Sequence, residues 1–186
     1  QESGFLNFIG ERTFSDIHSF RYGFSSYADR FTEDFEGNID TPYNHVRTDL
    51  ISGIYSEHIY TISEMFKMVT GFRADYYNVT DDIYYSPRTN LRYNPSDNTV
   101  LRLSLGKAFR IAQPLVENFN YLNSSRLITI DNTILPEEAI NYGINATHCF
   151  YLFSREARFN LDLYRTQFQN QVVVDIESQE KLFFYK

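Results

Sequence analysis

Tryptophan is absent from this 186-residue chain, cysteine occurs once, and the longest uninterrupted apolar run is the five residues Cys149 to Phe153. Each shortage removes a class of protein. A lone cysteine closes no internal disulfide, so a secreted disulfide framework is excluded, and Cys149 reads as a small apolar filler. A membrane helix needs about 20 consecutive apolar residues, and none is present. No basic-then-apolar leader opens the sequence, which fits a mature protein or an internal piece of one. Basic residues are outnumbered: 17 Lys and Arg stand against 24 Asp and Glu, for a net charge of -7. A nucleic-acid binder normally carries a basic face instead. The lack of a membrane helix does not place the chain in water, because a barrel strand needs only about 9–11 residues and gives a weak hydropathy signal.

What is abundant is Tyr, at 15, and Phe, at 17, which favour strands over helices. They fall in alternating patterns, the mark of a strand with two unlike faces. Leu101, Leu103 and Leu105 oppose Arg102, Ser104 and Gly106. Phe159, Leu161 and Leu163 oppose Arg158, Asn160 and Asp162. Ile140, Tyr142, Ile144 and Ala146 oppose Asn141, Gly143, Asn145 and Thr147. Phe20, Tyr22 and Phe24 oppose Ser19, Arg21, Gly23 and Ser25. From Phe66 to Tyr76 the polar set is Lys67, Gly71, Arg73 and Asp75, and Arg88, Asn90 and Arg92 face away from Thr89, Leu91 and Tyr93. Val46 to Tyr60 alternates less cleanly. A soluble sheet with one solvated face gives the same periodicity, so alternation alone does not choose between core and lipid.

The connections discriminate better. Thr61 to Met65, Asn94 to Asn98 and Ser154 to Glu156 are short. Phe31 to Asn44 is long, Val79 to Tyr84 moderate, Phe109 to Glu138 very long, and a last long one follows Asn170. Antiparallel neighbours joined in this order have every short turn at one end and every long loop at the other. Outer-membrane barrels show that asymmetry; soluble sandwiches have no reason to sort loops by end. Aromatics cluster at both ends: Tyr60, Phe66, Tyr93, Phe150, Tyr151 and Phe153 by the short turns, and Tyr76, Tyr77, Tyr84, Tyr85 and Phe109 opposite. Such girdles mark the two membrane interfaces. Cations on a lipid face cost roughly 2–4 kcal/mol at the midplane. Arg73, Arg88, Arg92, Arg102 and Arg158 all lie on polar faces, and Lys107, which shares a face with Leu105, sits at a strand end where its ammonium can snorkel.

With those features in place, the sequence resembles the TonB-dependent receptors, closest to colicin, siderophore and cobalamin receptor-like members. The residues that carry the resemblance are Gly71 to Tyr76, Ser86 to Tyr93, Asn98 to Arg110, Leu135 to Glu138 with Asn141-Tyr142-Gly143, and Phe159 to Asp175 as the following hairpin. It extends from about residue 12 across nearly all the chain. The resemblance implies an all-β fold, an antiparallel transmembrane β-barrel segment. About eight strands are readable, whereas plugged transporters of this kind close with about 22. Residues 1–186 are then expected to be part of the barrel domain, an incomplete wall, with no plug domain and no TonB box recognisable. The resemblance further implies a Gram-negative outer-membrane location, lipid around the wall, TonB as energy-supplying partner through the plug region, and a small nutrient ligand such as a ferric siderophore or cobalamin.

The segment Arg110 to Leu135 is too long for an ordinary connector, and such loops are usually functional or disordered. Its Arg110, Gln113, Asn118, Asn120 and Tyr121 combine charge, amide and ring, suited to grip a polar ligand. The alternative is a loop that merely covers the mouth. A lumen- or plug-facing set is read in Arg73, Asp75, Arg88, Asn90, Arg92, Arg102, Arg158 and Asp162, whose arginines would meet an anionic ligand or, preferably, plug carboxylates.

Other features are weaker. His18, His45, His58 and His148 lack metal-site spacing. The acidic groups Asp81-Asp82 and Glu33-Asp34 with Glu36 and Asp40 read as solvated loop charge rather than a calcium site. Asn78, Asn123 and Asn145 open glycosylation-type triplets, which carry no meaning in a bacterial barrel. No phosphate loop or nucleophile elbow is present, so neither catalysis nor a cofactor is expected. Two rivals remain: a passive outer-membrane channel, and a soluble β-sandwich that binds carbohydrate through its tyrosines.

Overall fold

A computed structural model of the chain describes residues 2–34, 44–112, 117–122, 126–130, 135–177 and 181–185. It is built on one antiparallel meander. Eight long strands follow one another across the sheet: β1 (Glu2–Thr13), β2 (His18–Asp34), β3 (Asn44–Thr61), β4 (Phe66–Tyr77), β6 (Arg88–Ser96), β7 (Thr99–Arg110), β9 (Glu137–Leu152) and β10 (Arg155–Gln169). Between β4 and β6 the short β5 (Asp82–Tyr85) folds back on β4, from Ala74↔Tyr85 to Tyr77↔Asp82. The moderate connection expected at Val79 to Tyr84 is thus itself a hairpin. Pro87, which has no amide to donate, lies in the gap before β6 begins. The ladder resumes around it: Ser86 donates to the Arg73 carbonyl at 2.8 Å, and Lys107 donates to the Pro87 carbonyl at 2.9 Å.

The short connections are tight. Phe14-Ser15-Asp16-Ile17 and Ile62-Ser63-Glu64-Met65 share a pattern, apolar–Ser–acid–apolar, and a geometry. Ser15 Oγ accepts from the His18 amide at 3.2 Å, and Ser63 Oγ from the Phe66 amide at 3.2 Å, the self-bonding that makes serine a turn residue. Asp97-Asn98 joins β6 to β7. The register shifts between Tyr93 and Ser96, around Pro95, a place where a strand tolerates proline. Phe153 and Ser154 join β9 to β10 with φ of 49° and 63°, both left-handed as a two-residue hairpin with strand-matching twist requires.

All four tight turns lie at one end. At the other end, β8 (Leu127–Ile130) pairs in parallel with β12 (Lys181–Tyr185), which pairs antiparallel with β11 (Val173–Asp175). The expected all-loop segment Phe109 to Glu138 therefore contains a strand and one helical turn, α1 (Phe119–Leu122). Of the hairpin expected over Phe159 to Asp175, the first arm stays in the meander within β10 and the second leaves it: Asn170, at φ 60°, redirects the chain after β10 into the small sheet. Ile128 and Phe184 are its enclosed centre.

The meander buries almost no aliphatic side chain. Cross-strand partners share a face, and the register aligns Leu101, Ala146 and Leu161, then Leu103, Ile144 and Leu163. Leu101, Leu103, Phe159 and Leu161 are 38, 48, 56 and 43% exposed. A sandwich core would cover them with a second sheet. The opposite face carries Arg, Asp, Glu, Asn and Ser. Hydroxyls on the apolar face satisfy one another, as where Ser26 and Ser52 hydrogen-bond at 2.8 Å. Lys107, expected to snorkel, is ion-paired with Glu138 at 2.9 Å. Arg12, Arg30, Arg155 and Arg165 also fall on the apolar face, each near an end of its strand.

Candidate functional site

Three polar regions stand out on the face opposite the leucines. Nearest the long-loop end, Asp75 lies almost fully enclosed. Arg73 grips it with Nε at 2.6 Å and Nη2 at 2.5 Å, donates to Ser25 Oγ at 2.8 Å, and lies over the Tyr55 ring. Glycine at position 53, directly opposite Asp75, makes the close approach possible, because a Cβ there would collide with the Asp75 carboxylate. Beside it, Arg47 Nε lies 2.8 Å from Asp49 Oδ1, and Asp29 accepts from Ser3 Oγ at 2.9 Å and from Tyr27 Oη at 2.7 Å. Tyr77 and Tyr84 are buried on this same inner side, with Tyr84 stacked on Phe109 at 4.7 Å. The second aromatic girdle is therefore split. Tyr76 and Tyr85 are exposed on the apolar face, while parity turns Tyr77 and Tyr84 inward.

Mid-sheet, Glu57 joins two strands on either side of β3 and β4: Arg88 Nη2 lies 2.6 Å from it and Arg21 Nη1 3.4 Å, with Arg21 also 3.2 Å from Glu11. Nearer the tight turns, Lys67, Arg92 and Arg102 fall in one row across β4, β6 and β7. Arg102 donates to Asn145 Oδ1 at 2.7 Å, and Asn145 donates in turn to Asp162 Oδ1 at 2.5 Å. Arg158 is opposite Cys149 and Asn90 opposite Ser104, on the same side. All eight lumen-set residues thus share the polar face, but they form separate groups.

The loop set is divided. Arg110 Nη2 is held by Glu137 at 2.5 Å and Glu117 at 3.2 Å. Glu137 is buried and also accepts from the Val172 amide at 2.9 Å. It fastens the end of β7 to the chain leaving β10, a role with no signal in the sequence beyond its place in Leu135 to Glu138. Asn120 and Tyr121 are exposed on α1, Asn118 precedes it, and Gln113 lies outside the described residues. Asp81 accepts from Tyr76 Oη at 2.9 Å, and Asp82 from the Ile83 amide at 2.7 Å; Glu36 and Asp40 lie outside the described residues.

Two histidines separate in sequence come together. His18 Nδ1 and His58 Nε2 are 3.0 Å apart, in a stack with Phe20 and Tyr60 on the apolar face beside the tight turns. His148 stacks on Phe150 at the same end. No three potential metal ligands gather among the described residues.

No curated protein sequence matches the chain. Solved structures do. The ferric enterobactin receptor PfeA of Pseudomonas aeruginosa, bound to enterobactin, aligns with TM-score 0.70 at 11% identity, over 99% of this chain and 30% of that one. The siderophore receptor PirA of Acinetobacter baumannii aligns with TM-score 0.65 at 15% identity, over 99% and 31%. The chain thus spans under a third of the receptors whose fold it shares. The profile of the TonB-dependent receptor-like β-barrel matches residues 3–181. An open eight-stranded meander with tight turns at one end is what part of such a wall looks like, and the chain belongs to the TonB-dependent receptor-like β-barrel family.

Proposed function

We propose that this chain is a section of the barrel wall of an outer-membrane receptor that takes up a scarce nutrient, such as a ferric siderophore or cobalamin, with energy supplied through TonB. The family is one of transport receptors rather than enzymes. The observation that carries the reading is the uncovered leucine face, backed by a polar face, on strands whose tight turns share one end. From Ile140 to Phe150 the apolar side of β9 runs ten steps, about 34 Å along the strand and about 25 Å across a membrane at a typical tilt. That matches the apolar band of an outer-membrane barrel. The tight turns then face the periplasm. The long ends of β2, β3, β9 and β10 stand outside the cell, and β8, β11 and β12 cap the rim.

Within this reading Arg73, Asp75, Arg88, Asn90, Arg92, Arg102, Arg158 and Asp162 face the lumen. Arg110, neutralised by two carboxylates, anchors the rim, and Asn118, Asn120 and Tyr121, with Gln113 of the same segment, are the residues that would meet ligand. The test is cysteine labelling of the intact protein in native membranes, in a Cys149→Ser background. Leu103→Cys should react with a lipid-soluble maleimide and not with a charged one, and Arg102→Cys the reverse. Equal reaction of Leu103→Cys with the charged reagent would end the lipid-face assignment. Uptake that persists after loss of TonB would identify a passive channel instead.

A further inference from the structure

We propose that Lys67, Arg92 and Arg102 form a binding site for a multivalent carboxylate- or phosphate-type anion on the periplasmic half of the polar face. Adjacent strands lie about 4.8 Å apart, and Lys67 is registered opposite Arg92, which is opposite Arg102. Three positive side chains therefore stand in one row about 10 Å wide. Like charges directly opposite one another destabilise a sheet, and most other arginines on this face lie beside carboxylates. Arg21 and Arg88 share Glu57, Arg73 has Asp75, Arg47 has Asp49 and Arg110 has Glu137. Within the row no carboxylate of the described residues lies in ion-pair range. Among the described residues Arg92 donates to the Asn94 amide oxygen, at 3.1 Å, and Arg102 to that of Asn145.

The row borders a concavity of about 530 Å³ whose wall also includes Ser104, Asn145 and Tyr164. Gly143, opposite both Ser104 and Tyr164, lets those two side chains close in over the backbone and line that wall. A Cβ there would lie 2.5 Å from Ser104 Oγ and 2.7 Å from the Tyr164 ring. Clefts lined by one sign of charge concentrate counter-ions, and guanidinium groups bind oxyanions through paired, charge-assisted hydrogen bonds. A single carboxylate satisfies one of the three cations. An anion with two or more charged groups about 5 Å apart satisfies the row, since that is the cross-strand spacing. The groups can belong to a free small molecule or to acidic side chains of another part of the same protein.

The site rests on the assignment of this face to the lumen, so its test uses the intact receptor in detergent micelles, after membrane insertion has been verified separately. Calorimetric titration with tricarballylate, and with inorganic phosphate, is run on the wild type and on the triple variant Lys67→Gln/Arg92→Gln/Arg102→Gln. In parallel, acetylation of Lys67 in the folded wild type is measured by mass spectrometry at low salt and in 1 M NaCl. If a free anion occupies the site, tricarballylate binds at least tenfold more tightly to the wild type, more tightly than phosphate, and Arg155→Gln binds like wild type. If the protein's own carboxylates occupy it, neither probe binds, and Lys67 is shielded from acetylation until salt is raised. Equal binding to wild type and triple variant, or no binding with Lys67 freely acetylated at low salt, overturns the proposal. Either result with the receptor correctly inserted leaves the transport reading intact.

Discussion

Every large side chain on this sheet answers to the parity of its position. Leu161 and Asn160 are neighbours in sequence, yet one joins a leucine row and the other, opposite Thr147, turns to the polar face. A cation on the lipid side at mid-depth costs roughly 2–4 kcal/mol. Leu161→Arg in the intact protein should therefore lower stability by about that amount in denaturant titration in lipid vesicles. Asn160→Arg, one residue away, should leave it nearly unchanged. Equal effects at the two positions would contradict the lipid and lumen assignments. Asp75 offers a second test at this scale. It is 1% exposed and depends on Arg73 for most of its hydrogen bonds. Arg73→Ala leaves that charge enclosed and poorly satisfied, at a cost of about 1–3 kcal/mol or more. Adding Asp75→Asn should recover part of the loss, and a double variant no more stable than Arg73→Ala would show that the pair is not coupled.

At the scale of elements, the β9–β10 turn is held by an unsuitable residue. Phe153 has φ 49° and is 92% exposed, so no burial offsets a left-handed conformation that disfavours side-chain-bearing residues by roughly 1–2 kcal/mol. Phe153→Gly should raise the midpoint of thermal unfolding, followed as the shift in gel mobility on heating, by an amount equivalent to about 1 kcal/mol. An unchanged or lower midpoint would mean that the ring is used at the interface. Much of the element order was legible because six of the eight long strands carry a clear alternating polar and apolar pattern, and β3 carries a weaker one. β1 was not, and the reason is physical. Its inward positions include Phe5 and Ile9 and its outward ones Gly4 and Gly10, so its two faces differ little in polarity. The turn before β2 was missed with it, although Phe14 to Ile17 repeats the pattern of Ile62 to Met65. β8, β11 and β12 are three to five residues long, too short for a period to appear. The lumen-set positions followed from parity, but their partners did not: Arg88 finds Glu57 and Arg102 finds Asn145 across strands far apart in sequence.

For the whole molecule, the meander ends in two strands, β1 and β10, that pair on one side only. Hydrocarbon offers no hydrogen bonds to a bare sheet edge, and in water such an edge recruits other chains. This chain by itself should aggregate when detergent is withheld, as read by light scattering and size-exclusion chromatography. A monomeric detergent-free sample with a cooperative melt would be incompatible with the uncovered leucine face.

The small sheet at the rim sets an order of events. β8 and β12 run in parallel, side by side, but the whole β9–β10 hairpin lies between them in the chain. Pairing Leu127 with Lys181 before those two long strands have formed would close a long stretch of unordered chain at an entropic cost, so closure of this small sheet is favoured once the β9–β10 hairpin is in place and reports on that hairpin.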